Sequence, residues 1–131
     1  LLMVGTAFYY QKDTGQAANA IRWLKDSVAI KPNAEAYYFL GILHGEANQG
    51  PTAVDYLERA KKIAFDEETK LGKPPAWWIM DALYKLGEIH KQLGNYPAAR
   101  EAWNAWVVRK PPAGAKLTAV LNDLATTLKP R

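Results

Sequence analysis

One short pattern occurs twice in this chain and fixes most of what it can become. Leu40-Gly41-x-x-His44 returns as Leu86-Gly87-x-x-His90, 46 residues later. Each copy carries an alanine 12 residues after its glycine, Ala53 and Ala99, and a bulky residue four places further on, Leu57 and Trp103. Ala60 and Trp106 continue the alignment. Two antiparallel helices need this spacing. Glycine and alanine remove bulk where the helices cross, and the large side chain fills the groove beside the crossing. A supersecondary unit repeated in this way buries its apolar face by stacking on its neighbour.

The punctuation between the patterned segments predicts seven helices. Leu1–Lys12 is apolar and aromatic, and Asp13-Thr14-Gly15 makes a turn. Gln16–Ile30 follows with a stripe of Ala17, Ala20, Ile21, Leu24 and Val28, ended by Lys31-Pro32-Asn33. Ala34–Ala47 is next, and Pro51 suits the first turn of a long fourth helix whose stripe runs from Ala53 toward Leu71. Gly72 stands at the capping position, with Pro74-Pro75 beyond it. Ala76–Leu93, Tyr96–Arg109 and an amphipathic Ala113–Leu128 complete the set. No stretch alternates apolar and polar residues between turns, so the expected class is all-α.

Composition removes several chemistries. With 131 residues, 49% of them hydrophobic, the chain suits one ordinary domain and is too apolar for disorder. There is no cysteine, hence no disulfide, thiolate metal site or cysteine nucleophile. The net charge of +4 is scattered, densest at Arg109, Lys110, Lys116, Lys129 and Arg131, which argues for solubility rather than a nucleic-acid face. No apolar run reaches the roughly 20 residues of a membrane span. The opening Leu1-Leu2-Met3-Val4 has neither an initiator methionine nor a charged leader, so the expectation is a piece of a longer protein with any targeting signal outside it. His44 and His90 fall at equivalent repeat positions and point alike at successive steps, which suits packing rather than a convergent ligand pair. Asp66-Glu67-Glu68 lacks the spacing of a Ca²⁺ loop, and Ser27, the single serine, has no acid or histidine partner at a recognisable spacing.

The doubled pattern resembles the tetratricopeptide repeat, a helix-turn-helix of about 34 residues. Met80–Pro111 carries Leu83, Leu86-Gly87, His90 in the aromatic slot, Gly94-Asn95-Tyr96 at the turn, Ala99, Trp103 and the terminal Pro111. Ala34–Ala64 matches at Tyr37, Leu40-Gly41, Ala53, Leu57 and Ala60. A weaker first copy has Gly15, Ala20, Ile21, Leu24 and Pro32, but its Gly5 needs about three extra residues in the first helix. The resemblance implies an α-α superhelix forming one domain over 1–131. Its repeats fall at about 1–33, 34–75 and 76–112, with a capping helix at about 113–128. Two departures stand out. The second and third repeats lie 46 residues apart, a surplus assigned to the long fourth helix and the loop after it. Trp106 occupies a position where the family prefers a small residue, and is expected to push its neighbour outward.

In such arrays the first helices line a concave groove that binds a segment of another protein. The resemblance places Thr6, Tyr9, Glu35, Tyr38, Ile42, Glu46, Asp81, Tyr84, Lys85, Glu88 and Lys91 toward it. A clamp for a C-terminal carboxylate is not expected, because among the corresponding positions only Lys85 is suitable. The acidic balance favours an apolar partner with some positive charge. Trp77 and Trp78 are candidate interface anchors; adjacent helical residues diverge by about 100°, so both cannot readily enter one core. The expected function is a non-catalytic adaptor or scaffold without cofactor or metal. Three alternatives stand beside it: a homo-oligomerising scaffold, a regulatory or targeting domain attached to an upstream enzyme, and an RNA-binding helical repeat, which the acidic groove residues disfavour.

Overall fold

Helix caps and proline positions divide the chain much as its sequence suggests. A computed structural model describes residues 14–31 and 33–130. Among them are six α-helices and no strand: α1 Thr14–Ile30, α2 Ala34–Glu46, α3 Gly50–Leu71, α4 Ile79–Gln92, α5 Tyr96–Val108 and α6 Ala115–Ala125. The expected helix over Leu1–Lys12 lies outside the described residues. The helices fall into two compact units, the first ending at Ala76 and the second beginning at Trp77.

In the first unit α1 packs on α2, and α2 on α3. Asn33 starts α2, its side-chain Oδ1 accepting from the Ala36 N–H at 3.0 Å and satisfying one of the orphan donors of the first turn. Ala20 and Leu24 of α1 meet a core formed by Ala36, Phe39 and Leu40 of α2 and by Ala53, Leu57, Ala60 and Ala64 of α3. The last four recur at helical spacing and are the buried stripe of a helix whose opposite side holds ion pairs. Arg59 meets Asp55 at 3.2 Å, and Lys70 meets Asp66 at 3.8 Å.

In the second unit α4 packs on α5, and α5 on α6. Ala82, Leu83, Leu86 and Ile89 of α4 face Ala99, Ala102, Trp103 and Trp106 of α5, all buried. Both ends of this unit differ from the sequence expectation. The fifth helix begins at Ile79 rather than Ala76, because Trp77 and Trp78 form a turn after Pro74-Pro75. Asp81 then supplies the negative charge that a helix N-terminus favours. The last helix is shorter than Ala113–Leu128. Gly114 is its N-cap, and beyond Ala125 the Leu128 N–H returns to the Asp123 carbonyl at 2.8 Å, which closes the end and buries Leu128.

The two helix pairs, α2–α3 and α4–α5, are built alike. A Cβ added to Gly41 would stand 2.5 Å from Leu57 Cγ and 3.2 Å from the Ala53 carbonyl; one added to Gly87 would stand 2.0 Å from Trp103 Cδ1. Gly41, Ala53, Gly87 and Ala99 are all buried at these crossings. The connecting turns match as well. Asn48 (φ 58°) and Gly94 (φ 79°) hold the same left-handed position, and Gln49 and Asn95 each return an N–H to a carbonyl five residues back, on His44 (2.9 Å) and His90 (2.8 Å). This is the six-to-one bond of a Schellman cap. Each histidine then fastens its turn a second time: the His44 ring pairs with the Gln49 side chain, and Asn95 Nδ2 donates to His90 Nδ1 at 3.5 Å. Both rings are buried, and His44 also stacks on Tyr56 at 5.4 Å.

Candidate functional site

The residues that the resemblance aims at a groove divide sharply between the units. On α4, Asp81, Glu88 and Lys91 with Tyr84 and Lys85 between them fall on one broad helix face, and all five are half-buried. On α2 the corresponding Tyr38 and Ile42 are only 6% exposed each and offer no open surface. Glu35 is half-buried and Glu46 exposed. Thr6 and Tyr9 lie outside the described residues. Of the tryptophan pair, Trp77 is 65% exposed and Trp78 only 3%, so Trp78 is a core residue and not a surface anchor.

Two clefts run along the α4 face and a third lies beside them, away from α4. The first, about 440 Å³, is bounded by Met80, Asp81 and Tyr84 on α4, by Trp106, and by Pro112–Lys116. The second, about 370 Å³, has Tyr84, Glu88 and Lys91 on one wall, Ala119, Val120 and Asp123 of α6 on the other, and Trp103 as floor. The third, about 440 Å³, lies between Tyr96, Pro97 and Arg100 of α5 and the segment Thr127–Pro130. Tyr84 is common to the first two, which makes one trough between α4 and the segment Pro112–Asp123; the third cleft shares only Tyr96 with the second and lies between α5 and the chain beyond α6.

Its geometry is fixed by a few directed contacts. Trp103 Nε1 donates to the Tyr84 carbonyl at 3.0 Å, so the indole lies under α4 in one orientation. Tyr84 stacks on Trp103, with ring centroids 6.0 Å apart, and tilts against Trp106 at 5.4 Å. Lys91 Nζ donates to Asp123 Oδ2 at 2.7 Å and ties α4 to α6, while Arg100 donates to the Leu128 carbonyl at 3.3 Å. Lys116 reaches from the start of α6 over the Tyr84 ring, at 4.1 Å from its centroid. Burial raises the Tyr84 hydroxyl above its ordinary pKa of 10.0; the negative charge of Glu88 adds to the shift and Lys91 opposes it. Tyr84 therefore stays a neutral donor and acceptor throughout the physiological range, as a polar handle on a large apolar surface.

Of the α4 residues named from the sequence, Asp81, Tyr84, Glu88 and Lys91 line these clefts and Lys85 lines none of them; the opposite wall was not among the residues named. Lys116 counts in the sequence only as tail charge and Tyr96 only as a turn residue, and Asp123 belongs to no pattern named above. The signal that could have found Asp123 is its place on the amphipathic last helix three residues from Val120, the residue that α6 buries. Among the described residues no three His, Asp or Glu side chains gather where a metal ion would fit, and no helix is long and apolar enough to cross a membrane.

Paired helices that share a crossing chemistry and a capped turn define a helical-repeat protein. The chain belongs to the tetratricopeptide repeat family, whose profiles match residues 2–67 and 81–105. No curated protein matches it. Proteins of this family generally mediate protein–protein interaction and are generally non-catalytic.

Proposed function

We propose that this chain is an adaptor or scaffold module that holds a segment of a partner protein in the trough between α4 and α6. One observation carries the reading: a half-buried tyrosine with carboxylates Asp81 and Glu88 on its own helix sits at the junction of two clefts above an indole floor. Tyrosine at such a place offers area at low entropy cost, and a preformed trough leaves most of the ordering to the guest. The carboxylates favour a guest with apolar residues and some positive charge. On this reading the chain needs neither cofactor nor catalytic group. Its repeats fall near 34–75 and 76–112, and α6 covers the edge of the latter as a cap.

The test is selection of peptides from a randomised display library on the intact chain. Selected peptides are expected to be enriched in basic and apolar residues and to lose at least tenfold in affinity with Tyr84→Ala or Glu88→Lys. Peptides indifferent to both changes would overturn the trough as the binding surface. A second reading, self-association, is favoured by the 65% exposure of Trp77. It predicts a mass that rises with concentration in light scattering and ceases to do so in Trp77→Ser.

A further inference from the structure

The chain covers part of its own trough. Lys116 Nζ lies 4.1 Å from the Tyr84 ring centroid, inside the roughly 6 Å at which an ammonium is drawn to an aromatic face. Stability gives little reason for this placement. Lys116 is exposed, and it stands in the first turn of α6, where the helix dipole disfavours a cation. The cleft around the contact has open volume, Trp106 beneath and the Asp81 carboxylate on its wall. Further along the trough, Lys91 is engaged by Asp123 at 2.7 Å, so its charge is neutralised locally. An aromatic face, a carboxylate beside it and space to enter are what a cationic side chain requires.

We propose that the Tyr84 face is a subsite for an arginine or lysine side chain of an extended partner segment, with Lys116 as an internal competitor that the incoming cation displaces. The proposal rests on the trough reading above and adds to it a particular guest chemistry and a built-in rival. Removing Lys116 then strengthens binding of a basic guest, the reverse of what loss of an ordinary surface contact does.

The experiment titrates acetyl-Ala-Arg-Ala-amide into the full chain, followed by amide chemical shifts, with the uncharged citrulline peptide as its control. Lys116→Ala and Lys116→Gln should each bind the arginine peptide about two- to fivefold more tightly than the unaltered chain. Lys110→Gln, which removes an equal charge in the same unit but outside these clefts, should leave that affinity unchanged. Adding Tyr84→Leu, which keeps apolar bulk but no aromatic face, should abolish the gain. The proposal is overturned by equal affinity with and without Lys116, by a gain of the same size in Lys110→Gln or for the citrulline peptide, or by no binding to any form. Library-selected peptides that need Tyr84 but ignore Lys116 would defeat this inference alone; peptides that ignore Tyr84 and Glu88 would defeat the trough reading beneath it.

Discussion

Tyr38 and Tyr84 stand 46 residues apart at the same repeat position, and their surroundings have diverged. Around Tyr38, α2 presents Phe39, Leu40, Ile42 and Leu43, and all are buried. Around Tyr84, α4 substitutes Lys85 for the phenylalanine and Glu88 for the isoleucine, and its inner face stays open to a trough. The crossing beneath them diverges too: Leu57 fills the groove under Gly41, whereas Trp103 fills it under Gly87 and also donates a hydrogen bond to the Tyr84 carbonyl. Similar backbone solutions therefore carry two different surfaces. The first pair spends both sides of its inner helix on packing; the second packs with one side and leaves the other open to the trough.

The crossings give the largest test of that contrast. Trp103→Ala should cost about 3–5 kcal/mol in denaturant unfolding, the range expected for deleting a buried aromatic side chain. Gly87→Ala should cost more than Gly41→Ala, because a stiff indole yields less than a leucine tip, and Trp103→Leu should relieve most of the Gly87→Ala penalty by importing the first pair's arrangement. Independent, additive effects of Gly87→Ala and Trp103→Leu would break the parallel.

Next comes the transplant of surfaces. Lys85→Phe with Glu88→Ile gives α4 the apolar residues of α2. Helical content by circular dichroism should hold, while peptides selected on the unaltered chain should lose at least tenfold in affinity, about 1.4 kcal/mol. Unchanged affinity would show that the open face of α4 is not the one that binds.

The turns offer a smaller effect with opposite signs. Asn48→Gly should stabilise by about 0.5–1 kcal/mol, and Gly94→Ala should destabilise by about 1–2 kcal/mol, since both positions are left-handed. Smaller again is the tie between helices. Asp123→Ala should cost under about 1 kcal/mol globally, an effect weakened by salt, yet speed amide exchange in α6.

The smallest effect is spectroscopic. Burial and Glu88 hold the Tyr84 proton more tightly in the folded chain than in the unfolded one. Its contribution to stability is thus complete below pH about 10 and is lost as pH rises through the raised folded value. The difference between absorbance titrations of the unaltered chain and of Tyr84→Phe should place this hydroxyl above its ordinary range, and Glu88→Gln should lower it.

Much of this was legible in the sequence because it is local. The glycine and alanine positions announced both crossings, and Pro51, Gly72 and Gly94 announced helix limits to within a few residues. Tyr38 and Ile42 were misleading only under an assumption that all first helices share one open face; the apolar run from Tyr37 to Leu43 already said that α2 has none. What could not be read was the far wall. The Lys91–Asp123 pair spans 32 residues and the Tyr84–Lys116 contact the same number, and no periodicity links positions so distant. The choice between Trp77 and Trp78 turned on where α4 starts, which depends on how the two prolines hand the chain to the helix.

The thin attachment of α6 has one more consequence. It buries Val120 and little else, with Leu128 as a second peg beyond its end. A guest lying in the trough would touch both α4 and α6 and act as a splint across them. Occupancy would then be readable as slower deuterium uptake along Ala115–Ala125, before anyone knows what the guest is.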